Sequence, residues 1–396
     1  MRNLFVYLIV LTALALGFTT LAAAQSSAAR AVYDASAVVP TNVQGIRTFQ
    51  PPPAGFNPLA ATDEEIATYG FPPRPPQNDA DHYAQWARAM AAAKKRWNGE
   101  LKVTDIWHGP KRPAAAPPEV SALWETGPTV GYSYNWSGFV NTNTLTEWSP
   151  TGSFYMVVSE FNVPVAQQAF NSSATKSGNI CDGGLDLESS WNGIDGFGDQ
   201  YAVLQGGTMS ASYCDGSSTG TQYWAWIEWW PNPSLGEFPV NPGDDIYVAT
   251  YDTSATQGYV FLEDLTTQTW STYGLQPPPG KPGLIGNSAE YVVERPCCRG
   301  SNLYPLANYV QEYWANNWAV TFYDYDKGAA TPYNPGSTTS TYLLIMVDDG
   351  DSQTISVPAT QGRYGILFQD VNCAYIDGCT PFATPLAVAG AGDGSK

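Results

Sequence analysis

The sequence predicts an all-β protein, an antiparallel β-sandwich, preceded by a mostly irregular N-terminal region with one helix. Two observations support this prediction. From about residue 131 onwards, short runs of Val, Ile, Tyr, Trp and Phe alternate with clusters of Gly, Asn, Asp, Ser and Pro. Such alternation is typical of many short strands separated by turns. Tyr, Trp and Thr also dominate over Lys and Glu in this region, which disfavours long helices.

Seven segments of this body show the strand pattern most clearly, since each is a short apolar or aromatic run bounded by turn residues. They are residues 153–162, 223–230, 245–250, 258–263, 290–295, 318–323 and 340–346. A body of roughly 240 residues is long for a minimal sandwich but normal for a large one.

The N-terminal part divides into two predicted regions. Residues 1–24 have a cationic start, an apolar run and small residues before Gln25, which is the pattern of a secretory signal. A membrane anchor is the alternative, although the apolar run is short for a span. Residues 25–127 are rich in Pro and Ala, and we interpret them as a pro-region and linker, with an ordinary N-terminal subdomain as the alternative.

The helix of this region is predicted from about His82 to Trp97. Asp81 stands at its start, and apolar residues recur at helical spacing along it. The basic run 94–96 ends it, where cations favour a helix C-terminus. Residues 128–372 are predicted as the β-sandwich domain and residues 373–396 as a tail.

Charge and histidine content restrict the chemistry of the body. Residues 126–396 hold 26 acidic and 7 basic side chains, so nucleic acid is not an expected partner. Both histidines, His82 and His108, precede the body. Ser-His-Asp catalysis, Cys-His catalysis and histidine-ligated metals are therefore excluded there. We expect no metal and no cofactor, and carboxylates, amides and hydroxyls remain as reactive groups.

The six cysteines favour an oxidising compartment and an exported protein. Cys373 and Cys379 are close enough to form a local disulfide in the tail. Cys297 and Cys298 are adjacent, so pairing with Cys181 and Cys214 is an option that the sequence does not decide.

Eight segments of the body, in order, resemble motifs of the glutamic peptidase (eqolisin) family. They are Asn135-Trp136-Ser137-Gly138, Phe161-Asn162-Val163-Pro164, Trp191-Asn192-Gly193-Ile194-Asp195-Gly196, Val203-Leu204-Gln205-Gly206-Gly207, the aromatic run 223–231, Pro242-Gly243-Asp244, Leu262-Glu263-Asp264-Leu265-Thr266-Thr267 and Ala289-Glu290-Tyr291-Val292-Val293-Glu294. Together they span about residues 131–330.

The resemblance implies a concanavalin-like sandwich of two large curved sheets with a substrate groove on the concave face. It places the catalytic pair on Gln205 and Glu294. It also implies that the protein is made as a precursor. We expect the pro-region to inhibit the enzyme and to be removed, with a role only in folding or export as the alternative. The groove and its supporting groups are expected to include Asp195, Trp191, Trp226, Glu228, Glu290 and Trp136.

This pair makes chemical sense without a metal or histidine. Glu294 would deprotonate a water and then pass the proton to the leaving nitrogen, while the Gln205 amide would stabilise the oxyanion. The expected protein is a secreted, monomeric acid endopeptidase acting on proteins or peptides, with no membrane contact after signal removal. The pro-region is expected to dock through its cations over the acidic groove.

Two other functions remain open at this point. A carbohydrate-binding, lectin-like module shares a Trp-rich concave sheet, and a glycosidase could use Glu228 and Glu294 as paired carboxylates. One departure from the family pattern is Arg295, because an acidic residue is common there. Strand alternation should turn Arg295 away from Glu294. The Pro296-Cys297-Cys298 that follows has no recognised counterpart.

Overall fold

The computed structural model describes residues 38–75, 79–110, 128–168, 184–198, 202–214, 219–299, 302–326, 333–337, 340–347 and 354–371. The predicted signal segment, the tail 373–396 and the pair Cys373 and Cys379 lie outside these residues. No helix in the described part of the chain is long and apolar enough to cross a membrane. Cys214 and Cys297 are not free thiols, and their pairing stays a prediction.

The region before the body is more regular than predicted. Its elements, in chain order, are β1 (Val38–Pro40), β2 (Arg47–Phe49), α1 (Asp63–Thr68), α2 (Ala80–Ala92), β3 (Lys95–Arg96) and β4 (Lys102–Val103). The short helix α1 was not predicted. Its start has a capping box, in which the Thr62 hydroxyl accepts from the Glu65 N–H and the Glu65 carboxylate accepts from the Thr62 N–H.

The predicted helix from His82 to Trp97 is wrong at its C-terminal end, because α2 ends at Ala92. The next residues leave the helix to pair with the body. The Lys95 N–H donates to the Gln268 carbonyl at 2.8 Å, and the Trp97 N–H donates to the Trp270 carbonyl at 2.8 Å. Tertiary pairing thus overrides local helix propensity here.

The body consists of strands with one short helix among its described residues. In chain order they are β5 (Thr129–Ser133), β6 (Trp136–Thr142), β7 (Phe154–Asn162), β8 (Leu185–Ile194), β9 (Val203–Cys214), β10 (Thr219–Trp230), β11 (Leu235–Pro239), β12 (Asp245–Ser254), β13 (Gln257–Asp264), β14 (Thr269–Leu275), β15 (Ser288–Glu294), β16 (Cys297–Arg299), β17 (Asn302–Leu303), β18 (Gln311–Thr321), α3 (Phe322–Asp326), β19 (Thr341–Val347), β20 (Thr354–Gln361) and β21 (Gly365–Asp370).

The seven predicted strands are confirmed, with shifted ends. The clearest shift is at residues 318–323, where β18 begins earlier and stops at Thr321. The last two predicted residues belong to helix α3 instead.

Strand pairing forms two large sheets, and β16 and β17 pair as a separate two-stranded antiparallel sheet. The first sheet has the order β5, β19, β6, β15, β8, β9, β10, β11 and β4. The second has the order β20, β21, β18, β7, β12, β13 and β14, with β2 and β3 beside β14 and β1 beside β2. The two are joined through β19 and β20. Nearly all pairings are antiparallel, the exceptions being β5 with β19 and β3 with β14.

The main core lies between the two sheets and confirms the predicted sandwich. Phe139, Leu204 and Tyr291 of the first sheet belong to the same buried cluster as Val157 and Val260 of the second. Alternation along each strand sends the neighbouring side chains to the outer faces.

The N-terminal helices cover the outer face of the second sheet. Ile66 of α1 and Trp86 of α2 are buried in one cluster with Tyr247, Phe261 and Trp270 of that sheet. Arg88 of α2 also forms an ion pair with Glu160 of β7. This region therefore packs on the body as an integral layer.

Close approach of strands on the first sheet depends on glycine at one position of β9. A Cβ atom on Gly207 would lie 2.0 Å from the Ser190 carbonyl oxygen and 2.7 Å from the Trp191 Cα. These are backbone atoms of the neighbouring strand β8, so they cannot rotate away.

Gly207→Ala should therefore lower the free energy of unfolding by about 1–3 kcal/mol, the usual cost of overpacking. Urea unfolding followed by circular dichroism measures the change. Gly236→Ala is the matched control, because the nearest atoms to its Cβ lie 3.3–3.7 Å away. Equal stability of the two variants would contradict this account of the strand spacing.

Several carboxyl groups are buried inside the sandwich without a cation. The Ser190 hydroxyl lies 2.5 Å from Glu188 Oε1 and 2.8 Å from both carboxyl oxygens of Glu312. One hydroxyl can donate only one proton, so at least one of these two carboxyl groups must be protonated. Burial raises the pKa of Glu188 to about 7, and the Ser190 hydrogen bond partly offsets this. Burial also raises the pKa of Glu237 to about 8.

The free energy of unfolding should therefore fall as pH rises from about 4 to about 8. An unfolded glutamate has a pKa of about 4.3, so over this range the folded state binds more protons than the unfolded state. Each such group contributes a loss of up to about 1.4 kcal/mol per pH unit. Urea midpoints at pH 4 and pH 8 measure the effect, in a Glu294→Gln background chosen because the sequence resemblance places a catalytic residue at this position.

Glu237→Gln in the same background should make the midpoint less sensitive to pH, because it removes one titrating group. A midpoint that is constant or rises with pH would show that these carboxyl groups do not govern stability.

Candidate active site

Three buried polar side chains lie on the outer face of the first sheet. Gln205 extends from β9, Glu228 from β10 and Glu294 from β15, and all three are 0% exposed. Gln205 lies directly opposite Glu228 in the strand register. Alternation places them there, since Val203, Trp226 and Val292, two residues away along each strand, belong to the apolar cluster of this face.

A segment of the N-terminal region crosses this face in an extended conformation. The Thr104 N–H donates to the Ser234 carbonyl at 3.0 Å. Trp107 and Cys297 exchange two backbone hydrogen bonds, at 2.8 and 3.0 Å, as an isolated antiparallel bridge. Residues 104–109, which we call the crossing segment, thus lie on the sheet as an added strand does.

His108 of the crossing segment reaches the centre of the face. Its carbonyl oxygen accepts a hydrogen bond from the Gln205 amide nitrogen. Its backbone N–H lies 3.0 Å from Glu228 Oε2, and its ring Nδ1 lies 2.8 Å from the same oxygen. The imidazole stacks on Trp226 with ring centroids 3.6 Å apart and planes 5° apart.

Glu294 is held by two donors. The Trp191 indole N–H donates to Glu294 Oε2 at 2.8 Å. The Asn135 amide nitrogen donates at 2.8 Å to Glu294 Oε1 and at 2.9 Å to the Gly109 carbonyl. Gln205 hydrogen-bonds directly to the carbonyl of His108, the residue before Gly109. Gln205 and Glu294 are therefore connected to consecutive peptide groups of the crossing segment, Gln205 directly and Glu294 through Asn135.

Burial shifts the pKa values of the two ionisable groups at the centre of this face in opposite directions. Burial raises the pKa of Glu228 well above its usual range, and the nearby Glu294 raises it further. Burial lowers the pKa of His108 well below its usual value. Both shifts favour the uncharged form of the group, so the hydrogen bond between His108 and Glu228 joins two neutral side chains.

Space remains beside the crossing segment where it leaves the face. A cavity of about 320 Å³ adjoins Pro110 and is lined mostly by aromatic and small residues. These include Tyr132, Trp136, Gly196, Phe197 and Tyr342. It could accept an apolar side chain of an extended peptide.

The profile of the peptidase A4 family matches residues 134–355, which is more than half of the chain and lies within the predicted domain 128–372. The chain belongs to the peptidase A4 family. The resemblance found in the eight sequence motifs is thereby confirmed.

Two curated relatives match parts of this A4-family chain. Aspergillopepsin-2 of Aspergillus niger is 31% identical over 144 residues, covering 34% of this chain and 47% of the relative. Scytalidopepsin B of Scytalidium lignicola is 33% identical over 130 residues, covering 32% and 45%. The chain thus spans about half the length of the curated relatives it matches.

Solved structures of glutamic peptidases are also similar. A scytalido-glutamic peptidase with a transition state analog inhibitor is 22% identical, with a TM-score of 0.45, covering 60% of this chain and 98% of that chain. The aspergilloglutamic peptidase from Aspergillus niger is 26% identical, with a TM-score of 0.39, covering 47% and 99%.

The other residues named from sequence have distinct positions in the A4-family site. Trp136 lies beside Glu294 in the register and packs edge-on against Trp191, with centroids 5.1 Å apart. Asp195 accepts hydrogen bonds from the backbone N–H groups of residues 285–287 and so orders the loop before β15. Burial raises the pKa of Asp195 to about 6 despite these bonds. Glu290 is buried near Asp195, with its pKa raised well above its usual range by burial.

Arg295, the departure from the family pattern, hydrogen-bonds to the segment before β6. Its guanidinium Nε donates to the Tyr134 carbonyl at 2.6 Å. No group of three or more metal-ligating side chains occurs in the described part of the chain.

Sequence reasoning missed His108 and Asn135 as members of the site. Asn135 was visible as the first residue of the motif Asn135-Trp136-Ser137-Gly138, beside the strand that pairs with the Glu294 strand. His108 offered only a weak signal, as one of two histidines in an N-terminal region that no local pattern places on the sheet.

The described residues of the basic run 94–96 do not lie over the groove of the first sheet. Lys95 Nζ donates to the Thr267 carbonyl, and Arg96 donates to Thr48 and Phe49. These contacts lie at the edge of the second sheet, whereas the groove of the first sheet holds the crossing segment. Lys111 and Arg112 lie outside the described residues.

Proposed function

We propose that this A4-family chain is a secreted, acid-acting endopeptidase that hydrolyses peptide bonds with Glu294 and Gln205. The observation that carries the proposal is the hydrogen bond from the Gln205 amide to a backbone carbonyl of the crossing segment. A donor in this position can stabilise the oxyanion that forms when such a carbonyl is attacked.

Glu294 has the geometry for the proton transfers of this reaction. Trp191 and Asn135 each donate to one of its oxygens and so fix the plane of the carboxylate. A water between this carboxylate and the carbonyl would lose a proton to Glu294 as it attacks. Glu294 would then give that proton to the leaving nitrogen, and the carbon–nitrogen bond would break. A buried, water-poor site strengthens each of these electrostatic interactions.

The lectin-like alternative is not favoured by the family to which the chain belongs. Family membership and the bound backbone both support peptides as substrates. Secretion stays a proposal, supported by the signal-like pattern of residues 1–24 and by the six cysteines.

Glu294→Gln and Gln205→Ala should each lower casein hydrolysis at pH 3–4 by about 100-fold or more, because each removes a group that acts on the transition state. The release of acid-soluble peptides measures activity, and far-UV circular dichroism checks the fold.

Glu147→Gln and Gln276→Ala, both at exposed positions, are the matched controls and should retain activity. Full activity of Glu294→Gln or Gln205→Ala would refute the assignment. EDTA should have no effect.

We also propose that the pro-region keeps the precursor inactive, since the crossing segment fills the catalytic face in the intact chain. The purified precursor should be inactive at pH 7. After a shift to pH 3–4 it should shorten by roughly 10 kDa as activity appears, through cleavage in the Pro- and Ala-rich region. Gel electrophoresis over time measures this.

The Glu294→Gln precursor should keep its length under the same shift. Activity of the full-length chain at neutral pH, or equal shortening of this variant without added protease, would contradict self-inhibition and self-processing.

A further inference from the structure

We infer that Trp226 and Glu228 form the subsite for the substrate residue before the scissile bond, and that this subsite selects histidine. The His108–Gly109 bond is then the bond that the enzyme cuts in its own chain. This inference rests on the proposed function, because it assigns a substrate preference to the same catalytic pair.

The register of the crossing segment identifies the bond. Gln205 donates to the carbonyl of His108, which is the carbonyl of the His108–Gly109 peptide group. Asn135 joins the next carbonyl, that of Gly109, to Glu294. The peptide group between these two contacts is therefore the one presented to the catalytic pair.

The side-chain contacts of His108 define the preference. Trp226 offers a flat apolar face, on which the imidazole stacks at 3.6 Å with nearly parallel planes. Glu228, which has no exposed surface, lies 2.8 Å from the ring Nδ1. A phenyl ring could stack in the same way but could not hydrogen-bond the carboxyl group. An alanine side chain could do neither.

The residue after the bond is also restricted. A Cβ atom on Gly109 would lie 2.2 Å from Nε1 and 2.6 Å from Cδ1 of Trp230. The Trp230 indole ring is rigid and partly buried against the apolar cluster of this face, so it cannot move aside without losing packing contacts. The site in this arrangement therefore fits a His-Gly sequence.

The backbone on the amino side of the bond is held as a bound peptide would be. The Ser234 N–H donates to the Ile106 carbonyl at 2.9 Å, and Trp107 pairs with Cys297 in both directions. Added-strand pairing of this kind binds any sequence through main-chain groups. Selectivity must then come from side-chain subsites, and Trp226 and Glu228, both without exposed surface, form one of them.

The cleavage consumes one water. The water oxygen bonds to the His108 carbonyl carbon, and its first proton passes to Glu294. The bond from this carbon to the Gly109 nitrogen then breaks, and the nitrogen keeps the electron pair and takes the proton from Glu294. The products are a fragment ending in the His108 carboxyl group and a fragment beginning with the Gly109 amino group.

The test uses the acid-activated enzyme and synthetic peptides with the sequence of residues 105–112. The parent peptide should be cut between His108 and Gly109, as mass spectrometry of the fragments will show. A peptide with His108→Phe should have kcat/KM about 10- to 100-fold lower, the usual effect of an unmet hydrogen bond to a buried carboxyl group. Peptides with His108→Ala or Gly109→Ala should be cut still less well.

A variant enzyme assigns the preference to Glu228. In Glu228→Leu the ratio of kcat/KM for the parent and His108→Phe peptides should fall to about 1, because the hydrogen bond between the imidazole and the carboxyl group is removed. The peptide series with wild-type enzyme decides the inference even if this variant does not fold. In the precursor, the first new N-terminus after acidification should be Gly109.

Casein digestion by the same preparations separates the two proposals. If casein is digested but the peptide is cut elsewhere, or if His108→Phe is cut as well as the parent, the subsite inference is wrong and the peptidase proposal stands. If the wild type digests casein no better than Glu294→Gln, the peptidase proposal fails and the inference fails with it.

Discussion

Polar groups that lose contact with water need hydrogen-bond partners, and this requirement organises the outer face of the first sheet. Glu294 and Gln205 have no exposed surface in the intact chain. Glu294 finds its partners in Trp191 and Asn135, which belong to the sheet and its border. Gln205 and Glu228 find theirs in His108, which belongs to the N-terminal region. The hydrogen bonds of Gln205 and Glu228 on this face therefore depend on the crossing segment.

The same requirement operates between the two sheets. Asn192 of β8 donates to the Val248 carbonyl at 3.1 Å and accepts from the Thr250 hydroxyl at 2.7 Å, so it ties the first sheet to β12 of the second. Asn192 stands one residue after Trp191, and alternation therefore sends one side chain to the site and the next to the core. The motif that begins with Trp191 and Asn192 therefore contributes side chains to both faces of the first sheet.

Buried carboxyl groups between the sheets make the folded state more stable at acid pH than at neutral pH. Glu188, Glu237 and Glu312 are buried without cations, and each keeps its proton to a higher pH than a solvated glutamate does. Charge repulsion on the acidic surface acts in the same direction. The buried carboxyl groups became visible only through their positions between the sheets.

Much of the fold and part of the site could be predicted from sequence alone. Alternation in Tyr291-Val292-Val293-Glu294 and in Trp226-Ile227-Glu228 predicts which side chains within each strand share a face, because side-chain direction in a strand is a local property. The motif matches placed Gln205 and Glu294 as a pair before any geometry was known. The end of α2 at Ala92 could not be predicted from local pattern, because the chain after the helix forms backbone hydrogen bonds with the distant strand β14.

The crossing segment shows most clearly what only the tertiary structure decided. His108 lies 97 residues from Gln205 and 120 from Glu228 along the chain. No local pattern encodes a contact at that separation. Its place depends on β4 pairing with β11, on the bridge from Trp107 to Cys297 and on the close fit of Gly109 against Trp230. Sequence by itself determined which side chains each strand presents, because that follows from local backbone geometry. Which segment would cover them was decided by the packing of distant parts of the chain.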